Sequence, residues 1–235
     1  MTKIRLRSDI KVEHVQHVGD DAAIAKAAWI STENEPKLQD EGRIPGLINY
    51  LIQHRHGTPF EHNSITFRVE APIMVFREWH RHRIQSYNEQ SGRYTQFLPH
   101  FYAPPADRPL INSGSSARPK FELGEQTQLH QGFTELLGLS YEASWNTYQE
   151  ALDWGVSNEM ARLALPVSTY SSMYATGNLR AWLHFISLRT SKDNAQWQGH
   201  PQWEIVQAAL EVEEVLADIF PVTLAAFDKH GRVAP

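Results

Sequence analysis

Between residues 77 and 93 the chain places Arg77, Arg81, Arg83 and Arg93 among Ser86, Asn88, Gln90, Ser91 and Gly92. Guanidinium groups present a planar fork of donors matched to phosphate oxygens, and a glycine lets backbone amides approach the same anion, so the segment suits an anionic ligand. The competing interpretation is a solvated helix end whose arginines pair with Glu70, Glu78 or Glu89 and contribute little. Order favours the first. Arg81-His82-Arg83 followed at fixed intervals by Ser86, Asn88, Ser91 and Arg93 constrains more positions than a surface charge run does.

Histidine offers a second chemistry. His54-x-His56 with His62, and His80-x-His82, would present paired imidazoles to a metal if they lay on strands. These segments read instead as helix ends or turns, where residues two apart diverge, and no nearby Asp cluster completes a ligand set. Ligand-facing histidines explain them better, and no metal site is expected. The chain has no cysteine, which removes disulfides, zinc-thiolate and iron–sulfur ligation and any cysteine nucleophile. Ser91 is a nucleophile by type, but a serine needs an adjacent base and Arg93 offers none, so binding suits it better.

The set Arg81-His82-Arg83-x-x-Ser86-x-Asn88-x-x-Ser91-x-Arg93 resembles the complete motif of the flavin-dependent thymidylate synthases. Upstream, His54-x-His56-x-Thr58-Pro59-Phe60-Glu61-His62 resembles the family segment that reaches the flavin. Downstream, Ala161-Arg162-x-x-Leu165-Pro166, Asn178-x-Arg180 and Leu188-Arg189 resemble further family elements, in the family's order over roughly residues 20–210. The resemblance implies FAD as cofactor, dUMP as substrate, and 5,10-methylenetetrahydrofolate and NADPH as cosubstrates. It assigns the flavin to His56, Thr58, Arg81, His82, Arg83, Glu89, Asn178, Arg180 and His184. It assigns dUMP to Glu78, Trp79, Arg81, Glu89, Gln90, Ser91, Gly92, Arg93, Arg162 and Arg189, with the phosphate on Arg93 and Arg162. Arg189 is the expected catalytic residue, a fixed cation for charge developing on the uracil ring. The resemblance also implies a homotetramer whose active sites are shared between subunits.

Three places depart from the family pattern. Glu78 stands where glutamine is common, and an acid beside a phosphate is repulsive unless Arg77 or Arg81 neutralises it. His184 replaces a frequent asparagine, and residues 194–203 read like a family element with a few residues inserted. Chemistry agrees with the resemblance on one point. Methylating uracil at C5 takes either a nucleophile at C6 or an external hydride, and a chain without cysteine cannot follow the thiolate route, which leaves a redox cofactor.

These residues need elements to position them. Residues 20–31 are alanine-rich behind a capping Asp and predict a helix; 44–55 carry Ile44, Leu47, Ile48, Leu51 and Ile52 at helical spacing, with Gly57 as the stop. Alternating Ile65, Phe67 and Val69 predict a strand, and Pro72 opens a helix over 73–83. Residues 103–120 read as a proline-rich surface loop, and 121–153 as a long helix ending at Gly155. A helix at 157–164, a β-leaning 166–176, and helices at 178–190, 202–218 and after Pro221 complete the pass.

Strands and helices do not alternate regularly enough for a doubly wound sheet, so an α+β fold is expected, with a central, mainly antiparallel β-sheet flanked by α-helices as the resemblance implies. One domain is expected over residues 1–235. The net charge of −5 gives no broad basic surface, so neither nucleic acid nor an anionic membrane is an expected partner. No signal-peptide-like or membrane-spanning run is read, which makes a cytoplasmic location the expectation. Trp29, Trp79, Trp145, Trp154, Trp182, Trp197 and Trp203 are expected in core or interface, with no catalytic role. A nucleotide- or RNA-binding module and a metal-dependent hydrolase remain as competing classes, and visible flavin absorbance separates all three.

Overall fold

The computed structural model describes residues 3–32, 41–115, 118–121, 127–190 and 192–235. In chain order the elements are β1 (Arg5–Arg7), β2 (Lys11–Val18), α1 (Asp21–Trp29), α2 (Ile44–Gln53), β3 (Ser64–Pro72), α3 (Ile73–Trp79), β4 (Ser86–Glu89) and β5 (His100–Tyr102). They continue with α4 (Thr127–Asp153), α5 (Asn158–Ala161), β6 (Tyr170–Gly177), α6 (Leu179–Arg189), α7 (Trp203–Ile219) and α8 (Pro221–Lys229). The fold is α+β: an antiparallel sheet in the order β2-β3-β6-β4, a small parallel pair, and flanking helices. No helix among the described residues is long and apolar enough to cross a membrane.

The chain forms two compact units. One comprises the residues up to Lys11, Glu70–Glu78 and Glu89–Met173. Here β1 lies parallel to β5, with Arg5, Leu6 and Arg7 opposite His100, Phe101 and Tyr102. Phe101 stacks on Tyr141 of α4 at 5.0 Å and joins Trp145, Tyr148 and Ala161 in one buried cluster. Aromatic rings bury large areas, and the two tyrosine hydroxyls here still find partners: Tyr141 donates to the Tyr102 carbonyl at 2.9 Å, and Tyr148 Oη accepts from the Phe97 amide at 3.2 Å.

The other unit comprises Val12–Val69, Trp79–Asn88 and Tyr174–Pro235. In β3 the inward residues Ile65, Phe67 and Val69 are fully buried, as their alternation predicts, while Arg68 is exposed. Thr66 is buried too, because its hydroxyl meets that of Thr176 on β6 at 2.9 Å. Asp20 caps α1 by accepting from the Ala23 amide at 2.8 Å. Behind the sheet, Trp79 stacks on Phe185 at 4.5 Å and Trp182 meets Trp79 edge-on at 6.3 Å. Trp29 and Trp145 are likewise buried, whereas Trp154 and Trp197 are exposed.

Several boundaries differ from expectation. The stop of α2 is Arg55, not Gly57: Arg55 takes φ +58°, and the amides of Arg55 and His56 bond back to the carbonyls of Ile52 and Leu51 at 3.2 and 2.9 Å. That is a Schellman closure with arginine in the left-handed position usually held by glycine. The long helix ends as expected, with Gly155 at φ +81° and the same pair of closing bonds. Its start differs: Phe121 bridges Asn112, residues 122–126 lie outside the described residues, and helix is present from Thr127. The helix opened by Pro72 stops at Trp79 rather than 83, so Arg81 and His82 sit on the turn beyond it.

Candidate active site

The turn between α3 and β4 is held by its own carbonyls. The His82 amide bonds to the Trp79 carbonyl at 2.9 Å and the Gln85 amide to the His82 carbonyl at 3.2 Å, while the Tyr87 hydroxyl donates to the His82 carbonyl at 2.7 Å. Burial pushes the Tyr87 phenol well above its ordinary pKa, so it stays a donor. The two imidazoles of His80-x-His82 diverge on this turn: His80 meets the Tyr87 ring, and His82 meets Phe185 edge-on at 4.8 Å. Among the described residues no three His, Asp or Glu side chains gather to hold a metal ion.

A cavity of about 200 Å3 opens beside this turn, lined by Arg81, His82, Arg83, Ile84 and Gln85 with Ala181 and His184 of α6. His82 is buried, and its Nε2 accepts from Arg189 Nε at 3.0 Å. Burial, then the charge of Arg189 and the neighbouring His184, push His82 down to about 3, so its imidazole is neutral. With Nε2 accepting, the proton sits on Nδ1, a buried atom without a hydrogen-bond partner. Gln85 repeats the pattern. Its Oε1 accepts from Trp79 Nε1 at 3.0 Å, while its Nε2 is buried and unpartnered. Unpaired buried donors are costly, and two of them on residues lining one cavity suit an acceptor-rich ligand.

A second group surrounds the start of α6. Asn178 caps the helix, its Oδ1 accepting from the Ala181 amide at 2.9 Å. Arg180 Nε donates to the Pro235 carbonyl at 2.6 Å, and its Nη1 pairs with Glu61. Gly57 packs on that guanidinium so closely that a Cβ there would lie 2.6 Å from Arg180 Nε and 2.9 Å from the Pro235 carbonyl oxygen. His56 and Thr58, both exposed, flank this glycine, and the His56 ring meets Tyr50 at 5.7 Å.

The remaining expected contacts, Trp79 apart, belong to the unit containing α4. Gln90 bonds through its amide to the Ser172 carbonyl at 2.8 Å, and Ser91 closes a turn in which its Oγ accepts from the Arg93 amide at 3.3 Å. Arg93 Nε pairs with Glu159 Oε1 at 3.1 Å, and Arg162 Nε donates to the Glu159 carbonyl at 3.3 Å. Gly92 lies against Phe97 and the Arg162 side chain, where a Cβ would come within 2.4 and 3.1 Å. Arg93 thus meets the Glu159 carboxylate and Arg162 its backbone carbonyl, beside a glycine with no side chain in the way. Glu89 ends β4, and Glu78 is the penultimate residue of α3, both partly buried. The Trp79 side chain is fully enclosed among aromatic rings.

Within each unit the expected residues therefore cluster: Arg81, His82, Arg83, His184 and Arg189 at one place, His56, Thr58 and Arg180 at another, Ser91, Gly92, Arg93 and Arg162 at a third. Gln85, Tyr87, Glu159 and Glu61 are additions. Gln85 and Tyr87 fall on unspecified positions of the 81–93 motif, and only their contacts reveal them.

The family described as "Thymidylate synthase complementing protein" matches residues 13–222 of the chain. A flavin-dependent thymidylate synthase of Streptomyces coelicolor is 48% identical over 99% of this chain and 96% of that protein. One from Tropheryma whipplei is 43% identical over 97% of this chain and 96% of that protein. Among solved structures, the UMP/dUMP methylase PolB of Streptomyces cacaoi bound with 5-Br dUMP is 46% identical, with a TM-score of 0.93 over 99% of this chain and all of that one. The same methylase bound with 5-Br UMP gives a TM-score of 0.92 over the whole of both chains at 46% identity.

Proposed function

The chain belongs to the family of flavin-dependent thymidylate synthases, and from that premise we propose that it converts dUMP to dTMP by FAD-dependent reductive methylation. 5,10-Methylenetetrahydrofolate supplies the carbon and NADPH the reducing equivalents. The observation that carries this reading is the neutral, buried His82 bonded to Arg189 beside the 81–85 cavity. It keeps a permanent cation at a fixed place without a second charge to oppose it.

FAD supplies a hydride when bound and reduced, which no side chain of this protein can do. His82 and Gln85, each with an unpartnered buried donor, would suit so acceptor-rich a group, and Arg81 and Arg83 line the same cavity. His56, Thr58, Glu89, Asn178, Arg180 and His184 would complete the flavin contacts, with His56 beside the isoalloxazine where the folate stacks.

Arg93 and Arg162 hold the dUMP phosphate. Arg93 pairs with the Glu159 carboxylate and Arg162 with its backbone carbonyl, and an exposed ion pair of this kind is weak enough to yield to a dianion. Ser91 and the Gly92 amide bind rather than attack, and Glu78, Trp79, Glu89 and Gln90 border the nucleotide, Trp79 through its backbone. Arg189 stabilises the negative charge that develops on the uracil as N3 loses its proton or C5 becomes nucleophilic. We further place these residues in a single domain over 1–235, assembled as a homotetramer with shared active sites, in the cytoplasm, without nucleic acid or membrane partners.

A second substrate, UMP, is favoured by one observation: the S. cacaoi methylase, 46% identical, is described as acting on both nucleotides. Purified protein should be yellow, and should form dTMP only when dUMP, NADPH and methylenetetrahydrofolate are all present. Parallel assays with UMP resolve the second substrate. A protein that stays colourless and gains no thermal stability from added FAD overturns the reading.

A further inference from the structure

Arg189 is the last residue of α6, and helix ends are where backbone order is easily lost, because the final carbonyls have no partner within the helix. Here the end is secured. The Ile186 carbonyl accepts both from the Thr190 amide at 3.0 Å and from the Thr190 hydroxyl at 2.6 Å. The same hydroxyl accepts from Arg232 Nη2 at 2.8 Å. A guanidinium only donates and a carbonyl only accepts, so the hydroxyl proton has one available direction and the three groups form a defined relay.

Arg232 is itself held through both terminal nitrogens. It is 2% exposed, its Nη2 bonds to Glu213 Oε2 at 2.7 Å, and its Nη1 bonds to Glu213 Oε1 at 3.0 Å and to Asp228. Its guanidinium rests 5.0 Å over the Phe227 ring. Lys192 also pairs with Glu213, which balances two cations against two carboxylates. Burial pushes the Glu213 carboxyl up, but its bonds to Arg232 and Lys192 outweigh this and hold it below the ordinary carboxylate range. Arg232 reaches its place by a left-handed backbone, φ +56°, directly after Gly231 at φ +76°. That conformation is unfavourable for a residue with a side chain, so the surrounding contacts must impose it.

A buried ion pair is a poor source of stability compared with apolar packing, and its attested use is to select one geometry. The geometry selected here is the terminus of α6. The turn carrying Arg232 also anchors the segment after Arg189: the Gln196 amide donates to the Gly231 carbonyl at 2.8 Å, and Asn194 Nδ2 to the Asp228 carbonyl at 3.0 Å. We propose that the Arg232–Thr190 hydrogen bond, braced by Glu213, sets the position of Arg189 against His82, which makes Arg232 and Thr190 positioning residues. The catalytic part of this inference rests on the function proposed above.

Thr190→Val removes the hydroxyl and retains the branched shape, Thr190→Ser retains the hydroxyl, and Arg232→Lys keeps the charge while losing the fork. Two readouts apply to the FAD-loaded protein: the Nε–H nuclear magnetic resonance of Arg189, assigned by its loss in Arg189→Lys, and the separate kcat and KM for dUMP. T190V and R232K are expected to shift or broaden the Arg189 resonance and lower kcat by ~10-fold or more, with smaller change in KM and the flavin retained. T190S is expected to match the wild type in both. Should T190V not fold, Thr190→Ala carries the same expectation. An unchanged Arg189 resonance and kcat in T190V, or equal impairment in T190S, overturns the proposal. If the wild-type protein turns over no dUMP, the functional reading falls, and the resonance alone decides the positioning role.

Discussion

Arg189 Nε donates to His82 Nε2 at 3.0 Å, and this bond determines which imidazole nitrogen carries the proton. An accepting Nε2 requires a protonated Nδ1, and that atom is buried without a partner. The pair thus joins a fixed cation to an unpartnered donor on a residue that lines the 81–85 cavity. Arg189→Ala is expected to retain FAD, because the cavity-lining residues remain, and to lose dUMP methylation by at least ~100-fold, the scale of removing one preorganised charge-stabilising group. Flavin absorbance and a turnover assay check it; normal turnover in the variant contradicts the assignment.

The same pair gives stability a pH dependence. His82 has an ordinary value of 6.5 and a folded value pushed down to about 3, so between these the unfolded chain binds a proton that the folded chain resists. Stability from this site is fully present above 6.5 and falls as pH drops toward 3, by up to about 1.4 kcal/mol per pH unit. His184 and His100 are lowered as well, chiefly by burial, and steepen the same limb. Urea unfolding across this range should show a shallower slope for His82→Gln than for the wild type; equal slopes contradict a buried neutral histidine.

On the function proposed above, the Glu159 carboxylate competes with the nucleotide phosphate for Arg93, while Arg162 donates to the Glu159 backbone carbonyl. Its ion pair with Arg93 is about half exposed, 51% and 53%, and pairs of that kind contribute little. Glu159→Gln should therefore leave thermal stability nearly unchanged and tighten dUMP binding by roughly 3-fold. Arg93→Ala should weaken it by about 1–3 kcal/mol. Calorimetric titration with dUMP distinguishes these, and weaker binding in E159Q would show that the acid supports the site.

Gly57 and Gly46 make a matched pair of substitutions. At Gly57 a Cβ would lie 2.6 Å from Arg180 Nε and 2.9 Å from the Pro235 carbonyl oxygen, whereas at Gly46, inside α2, it would meet nothing within 4 Å. Gly57→Ala should cost about 1–3 kcal/mol and weaken FAD binding by displacing Arg180. Gly46→Ala should be neutral or stabilise by about 0.5–1 kcal/mol. Thermal midpoints and FAD titration of the two variants check the contrast, and equal behaviour contradicts it.

Local chemistry was readable in the chain where local forces decide structure. The alternation of Ile65, Phe67 and Val69 marks β3, Gly155 marks the end of α4, and the start of the 81–93 motif marks the turn that lines a cavity. Edge strands escaped notice. In β2 the valines fall at 12, 15 and 18 rather than alternating, because an edge strand buries little, and β4 is wholly polar apart from Tyr87. Helix stops made by Arg55 in a left-handed conformation carry no compositional signal, since the closing bonds rather than a glycine stabilise them. Partners far apart in the chain were illegible for the same reason. Nothing near Thr190 announces Arg232, 42 residues away, or near Arg189 announces His82, 107 away.

The central claim is that flavin and dUMP meet on this protein with Arg189 at the reacting ring. Titrating dUMP into the FAD-loaded protein while recording the flavin absorption band tests it most directly. The expected result is a saturable perturbation of the band that persists in Arg189→Ala and moves to higher dUMP concentrations in Arg93→Ala. A flavin band indifferent to dUMP at every concentration, in a protein shown to bind both ligands, contradicts the account.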